Sequence, residues 1–181
     1  MNKDNIYSFH SQLALPFLES NESTLDHIFS ILEQKFHLKP GSKQKFIDLG
    51  SGNGQVVIFC ALNYNIYSKG IEINSYLVEE SEERIEELKK KAKYDKKRFK
   101  NIHIKQGDLF DQNLERYDFI YIFSLPTMQK YLNHVFITAK KGTIIISYKY
   151  PLANFAFLEI LHTTNIKIKK DEILIYFYKK V

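Results

Sequence analysis

The chain has 181 residues, 44% of them apolar and 26% charged, with a formal net charge of +5 and one cysteine. Such a length fits a single domain, 1–181, with a substantial core, and a lone thiol excludes an internal disulfide framework. The sequence shows no basic-plus-apolar leader and no apolar run long enough to cross a bilayer, so the expected setting is reducing and cytoplasmic, without a membrane segment.

In chain order, residues 1–20 form an arm that carries Tyr7, Phe9 and Phe17 without a clear period. A helix is predicted from about Ser20 or Asn21, with Leu25, Ile28, Phe29, Leu32 and Phe36 on one face and Pro40 and Gly41 as its stop. Residues 1–40 thus read as an N-terminal arm and helix, and 41–181 as the core. Strands are predicted at 46–50, 67–73, 102–105, 117–123 and 143–148, alternating with helices at 54–62, 75–93 and 126–139. The 75–93 helix is acidic early and basic late, as the helix dipole favours, with Leu77, Val78, Ser81, Ile85 and Leu88 as its inward stripe. Its lysine-rich continuation, 89–100, reads either as a solvated basic end or as a patch for RNA or an acidic protein. The 126–139 helix places Met128, Tyr131, Leu132, Val135, Phe136 and Ala139 on its buried side. This alternation predicts an α/β fold with a mainly parallel sheet and helices on both faces. Beyond it a helix is predicted at 152–161. Two strands follow at 165–169 and 172–178, antiparallel because the turn near Lys170 and Asp171 is short.

The chemistry-bearing segment is FIDLGSGNGQVVIF, 46–59, where a strand ends in Asp48 and opens into Gly50, Ser51, Gly52 and Gly54. Such a loop lets backbone approach a ligand at a helix N-terminus. A dinucleotide site would set the glycines against a pyrophosphate. An S-adenosylmethionine site would set them beside an amino-acid end and a sulfonium, and Asp48 at the strand tip suits that cation. GIEIN, 70–74, places Glu72 and Ile73 at the end of the next strand, where a carboxylate can accept from both ribose hydroxyls. IHIKQGDLF, 102–110, ends the third strand in Asp108, placed to accept from an adenine amino group with Leu109 or Phe110 against the ring. Glu72 or Asp108 alone reads as a solvated strand end; three carboxylates at successive strand ends point to one ligand.

The ordered set Asp48, Gly50, Gly52, Gly54, Glu72 and Asp108 resembles the Rossmann-like, seven-β-strand S-adenosylmethionine-dependent methyltransferases, from about residue 46 to 181. PFLESNESTLDHIFSIL, GIEINSYLV and YIFSLPTMQKYL are similar to small protein-lysine methyltransferases related to the ATP synthase c-subunit lysine methyltransferase, including archaeal broad-specificity relatives. The resemblance implies a three-layer sandwich around a mostly parallel seven-stranded sheet, ordered 3-2-1-4-5-7-6 with an antiparallel last strand. It also implies S-adenosyl-L-methionine as cofactor and a protein substrate presenting lysine. Eukaryotic members carry a membrane segment ahead of the catalytic domain, and their organelle location is not carried over.

On the acceptor side, Ser124-Leu-Pro-Thr127 departs from the Asn/Asp-Pro-Pro-aromatic pattern of adenine and glutamine methyltransferases. Phe123 to Pro126 instead matches the Phe-x-x-Pro arrangement of the lysine family. Ser124, Pro126 and Phe17 are therefore the acceptor-positioning candidates, with Tyr148 and Tyr150 as further aromatic walls. The plain alternative makes Ser124 an N-cap and Pro126 a first-turn proline. The six histidines show no metal-ligand spacing, so no metal is expected. The expected function is protein-lysine N-methylation from S-adenosylmethionine. An RNA or small-molecule methyltransferase and a catalytically silent cofactor-binding protein stand as alternatives.

Overall fold

The computed structural model describes residues 22–91, 93–168 and 171–181; Phe17 and the rest of the expected arm lie outside them. Helix α1 (Glu22–Phe36) buries Leu25, Ile28, Phe29, Ile31 and Leu32, one face at helical spacing. It ends before the expected Pro40 and Gly41. His37 turns left-handed at φ 58°, and Leu38 N–H donates to the Leu32 carbonyl at 3.0 Å. That backward bond satisfies an end carbonyl, a task usually given to a helix-ending glycine.

Strand β1 (Lys45–Leu49) leads through the glycine loop into α2 (Gln55–Phe59), which continues as a π-helical turn over Cys60–Tyr64. Then follow β2 (Tyr67–Glu72), α3 (Ser75–Lys90), β3 (Ile102–Gln106) and β4 (Phe119–Ile122). The short helices α4 (Pro126–Gln129) and α5 (Asn133–Phe136), and strands β5 (Ile144–Tyr148), β6 (Leu158–Ile168) and β7 (Asp171–Lys180), complete the chain. The sheet runs β3-β2-β1-β4-β5-β7-β6, as the resemblance implies. β1 to β5 pair in parallel, and β7 is antiparallel to both β5 and β6.

Alternation along the strands divides the interior in two. Phe46 packs with Phe29, Phe119, Ile146 and Phe177, whereas its neighbour Ile47 packs with Ile120, Met128, Phe136 and Ile145. β4 and β5 are therefore buried along their whole length, the continuous apolar pattern of strands covered on both faces. The stripe of α3 is as expected: Ser81 is buried, and Leu77, Val78, Ile85 and Leu88 are half-buried.

Two expected helices differ. Residues 126–139 form two short turns, with i→i+3 bonds such as Tyr131 to Met128 and Leu132 to Gln129. Asn133, Val135, Ile137 and Thr138 are weak helix formers, so the segment tightens while still burying Met128, Leu132, Val135, Phe136 and Ala139. Residues 152–161 are not a helix. Asn154 has φ 66°, outside the helical range, and the chain joins β6 at Leu158. There it pairs with Lys180 of β7, and extension wins because β7 otherwise has an open edge. No described helix is long and apolar enough to cross a membrane.

Candidate functional site

β1 lies between β2 and β4, so the strand order reverses beside it, and a crevice at the carboxyl ends of such strands is where α/β sheets hold ligands. Gly50, Gly52 and Gly54 have φ of 83°, 52° and 75°, a left-handed run that favours glycine. At Gly54 space is short as well: a Cβ would lie 3.0 Å from Ser81 Cβ and 3.1 Å from Ile104 Cδ1. The Ile71 carbonyl accepts from the N–H groups of both Gly50 (2.9 Å) and Ser51 (3.0 Å), clamping the loop to β2.

Glu72 organises three elements. Its Oε2 accepts from Gly52 N–H at 2.8 Å, its Oε1 from Asn74 N–H at 3.0 Å, and its carbonyl from Gly107 N–H at 2.8 Å. Asp48 is 2% exposed, and burial, then the Glu72 charge, holds its carboxyl well above the usual carboxylate range. Asp108 Oδ1 accepts from Phe110 N–H at 2.8 Å, fixing the turn after β3. Leu109 leans over the loop, its Cδ2 3.8 Å from where a Gly50 Cβ would stand. Ile73 is 55% exposed and Tyr76 69%, leaving apolar surface open at the end of β2. Asp48, Glu72 and Asp108 thus stand at or just beyond the ends of β1, β2 and β3, as expected, with Gly50, Ser51, Gly52 and Gly54 between the first two.

Sequence reasoning passed over Gly70. A Cβ there would sit 2.5 Å from Ser51 Oγ and 2.8 Å from Ser51 Cβ, so β2 admits the loop only because this residue is glycine. The available signal was a glycine inside a strand pattern, which marks close backbone approach.

On the other side of β1, Phe123 meets Tyr148 edge-on at 5.8 Å and stacks with Tyr150 at 6.1 Å. Tyr148 is itself a core residue, and burial raises its hydroxyl above the ordinary tyrosine value. Ser124 is 1% exposed, and its Oγ has no hydrogen-bond partner. It is not the cap of α4, because Leu125 holds that position without a side-chain bond, whereas Pro126 does open the first turn. Gln129, also unanticipated, is 3% exposed with its Nε2 unpartnered.

A carboxylate pair on a glycine loop, with exposed apolar side chains beside it, suits a cationic, ribose-bearing ligand and disfavours a pyrophosphate. Among the described residues no group of three or more His, Cys, Asp or Glu could hold a metal ion.

Comparison with known proteins gives a consistent picture. The sequence matches the family described as ANTKMT methyltransferase domain over residues 48–158. It is 26% identical over 143 residues to the ATP synthase c-subunit lysine N-methyltransferase of Caenorhabditis elegans, a match covering 78% of this chain and 70% of that protein. An RNA methyltransferase from Salinibacter ruber, solved with S-adenosyl-L-homocysteine, is similar at TM-score 0.70 and 19% identity, covering 90% of this chain and 94% of that one. Magnesium protoporphyrin IX methyltransferase from Synechocystis, solved with bound S-adenosylmethionine, is similar at TM-score 0.65 and 14% identity, covering 88% and 79%. These two structural likenesses concern the fold.

Proposed function

Because the chain belongs to the ANTKMT methyltransferase domain family, and is thus an S-adenosylmethionine-dependent methyltransferase, we propose that its acceptor is the ε-amino group of a lysine in a protein. One observation carries the choice of acceptor: the aromatic cluster of Phe123, Tyr148 and Tyr150, followed in the chain from Phe123 by the buried, unpartnered Ser124 Oγ. The similarity to the Caenorhabditis elegans lysine N-methyltransferase supports the same reading.

When bound, the cofactor supplies an electrophilic methyl group on a sulfonium. Asp48 receives its cationic amino-acid end, and Glu72, already anchored by two backbone donors, offers its remaining lone pairs to the ribose hydroxyls. Asp108, Leu109 and Ile73 hold the adenine side. An acceptor lysine has no lone pair until it loses a proton, near its reference pKa of about 10.4 in water. Phe123, Tyr148 and Tyr150 replace water around that amine, which favours its neutral form. Tyr148 Oη keeps its own proton under these conditions, since burial raises it, so the proton leaves to solvent rather than to this residue. Ser124 Oγ is the polar atom that orients the neutral amine. Much of the acceleration then comes from orientation and exclusion of water, with no covalent nucleophile required.

The test is incubation with methyl-labelled cofactor and separate protein, RNA and metabolite fractions. Label on protein lysine, reduced about tenfold or more by Phe123→Ala at unchanged cofactor affinity, is the expected result. Label confined to RNA or to metabolites would reject it.

A further inference from the structure

We propose that the open face of β2 and β3 carries a second binding site, for a small phosphate-bearing anion, with Lys69, Lys105 and Arg116 as its cationic contacts. This goes beyond methyl transfer and uses none of the residues assigned to the cofactor or the acceptor.

Topology creates the face. β2 and β3 pair in parallel, with Lys69 opposite His103 and Ile71 opposite Lys105. Tyr67, Lys69, His103 and Lys105 therefore share one side of the sheet, and Gly70 and Glu72, which meet the glycine loop, lie on the other. The connection from β3 to β4 contains only the single turn Leu109–Asp111, so no helix covers this side, and His103 and Lys105 are exposed. Under the connection lies a cavity of about 510 Å³ lined by Lys69, Asn113, Glu115, Arg116 and Tyr117. That volume is typical of small-molecule sites, which span about 300–1,000 Å³.

The charges are arranged against one another. Lys69 is half-buried, and burial, then Lys105 and Arg116, hold its ammonium below the ordinary lysine value. None of these three cations forms a salt bridge among the described residues. Glu115 is the acid in the lining, set against Lys69 and Arg116. His103, which stacks on Tyr67 at 4.4 Å, is lowered by burial and by the same Lys69, so it leans towards its neutral form. Tyr117 is pushed up to about 12, chiefly by burial, and keeps its hydroxyl proton. With Glu115 as the one acid in the lining, the three cations leave an excess of positive charge and repel one another, and a multiply charged anion removes that repulsion. An arginine fork beside a lysine point charge matches phosphate oxygens better than a single carboxylate. The volume of the recess suits a compact anion, and Lys45, whose Nζ lies 5.5 Å from the centroid of the Tyr67 ring, adds positive charge on the same face.

The experiment is calorimetric titration of the full chain with inorganic diphosphate at ionic strength held constant with chloride. Saturable binding is expected, weakened about tenfold or more in both Lys69→Met and Arg116→Gln, because each removes one charged hydrogen-bond donor. S-adenosylmethionine affinity and the thermal midpoint are measured in the same variants; both should be retained, which separates this site from the cofactor site and from misfolding. No binding by the wild type, or equal binding by the wild type and both folded variants, overturns the proposal. So does saturable binding of a 20-nucleotide RNA that diphosphate does not displace.

Discussion

Asp48 illustrates a conflict that a single side chain can hold. Burial and the neighbouring Glu72 favour its neutral form, while a cationic ligand favours the ionised one. A carboxyl raised in the folded state contributes stability that is fully present below its unfolded pKa of about 3.9 and is lost as pH rises through the folded value. The cofactor acts oppositely: its affinity should climb as pH rises through that raised value, with a proton released on binding. Calorimetry in two buffers of different ionisation heat measures that proton, and a pH-independent affinity with no proton release would contradict the assignment. Asp48→Asn keeps the volume and removes the charge. It should raise the thermal midpoint near neutral pH while weakening cofactor binding roughly ten- to hundredfold, the scale of a charged hydrogen bond. Gly70→Ala tests packing instead. Its Cβ would collide with Ser51, so β2 and the loop must separate, at a cost of about 1–3 kcal/mol in urea unfolding.

At the scale of elements, the stretch between β5 and β6 is held by Ser147 Oγ, which donates to the Tyr150 carbonyl at 2.6 Å, and by Tyr178. Tyr178 Oη accepts from the buried Leu152 N–H at 2.9 Å. Tyr178→Phe leaves that donor unsatisfied and should lower stability by about 1–3 kcal/mol, read from the urea midpoint. A stability within about 0.5 kcal/mol of wild type, the scatter of neutral surface changes, would show that water replaces the bond. The same stretch marks where sequence reading stopped. LANFAFLEIL has apolar residues at spacings compatible with a helix, and no local rule reports that β7 lies in sequence beyond it, with an edge to pair. The site was far more legible. Its carboxylates and glycines sit at turns dictated by local backbone geometry, whereas Gly70 and Gln129 matter only through what the fold brings against them. The stop at His37 was missed for a related reason: a histidine in a left-handed turn leaves no residue-type signature, and Pro40-Gly41 three residues on does.

Across the whole molecule, β1, β4 and β5 form a partition with one apolar cluster on each side. Opening either cluster strips a face from the same strands, so both should melt together. With 12 tyrosines and no tryptophan, tyrosine fluorescence reports side-chain packing and far-UV dichroism the backbone; the two thermal transitions should coincide. Separated midpoints would mean that the partition does not couple the layers. Cofactor at about 100 times its Kd adds about 2.7 kcal/mol, a midpoint shift of roughly 5–10 °C for a chain of this size. The same concentration should move Asp48→Asn by about half as much at tenfold weaker binding and by about a sixth as much at hundredfold. Cys60, the sole thiol in the sequence, lies fully buried in the π-helical turn that continues from the glycine loop's helix, and burial raises it above the ordinary thiol value. It is thereby a built-in clock. A thiol reagent can mark only molecules that have momentarily opened this layer, so the labelling half-life reads out the rarity of that opening without an added probe. Occupancy of the cofactor crevice should lengthen it, tick for tick, as binding makes the open form rarer.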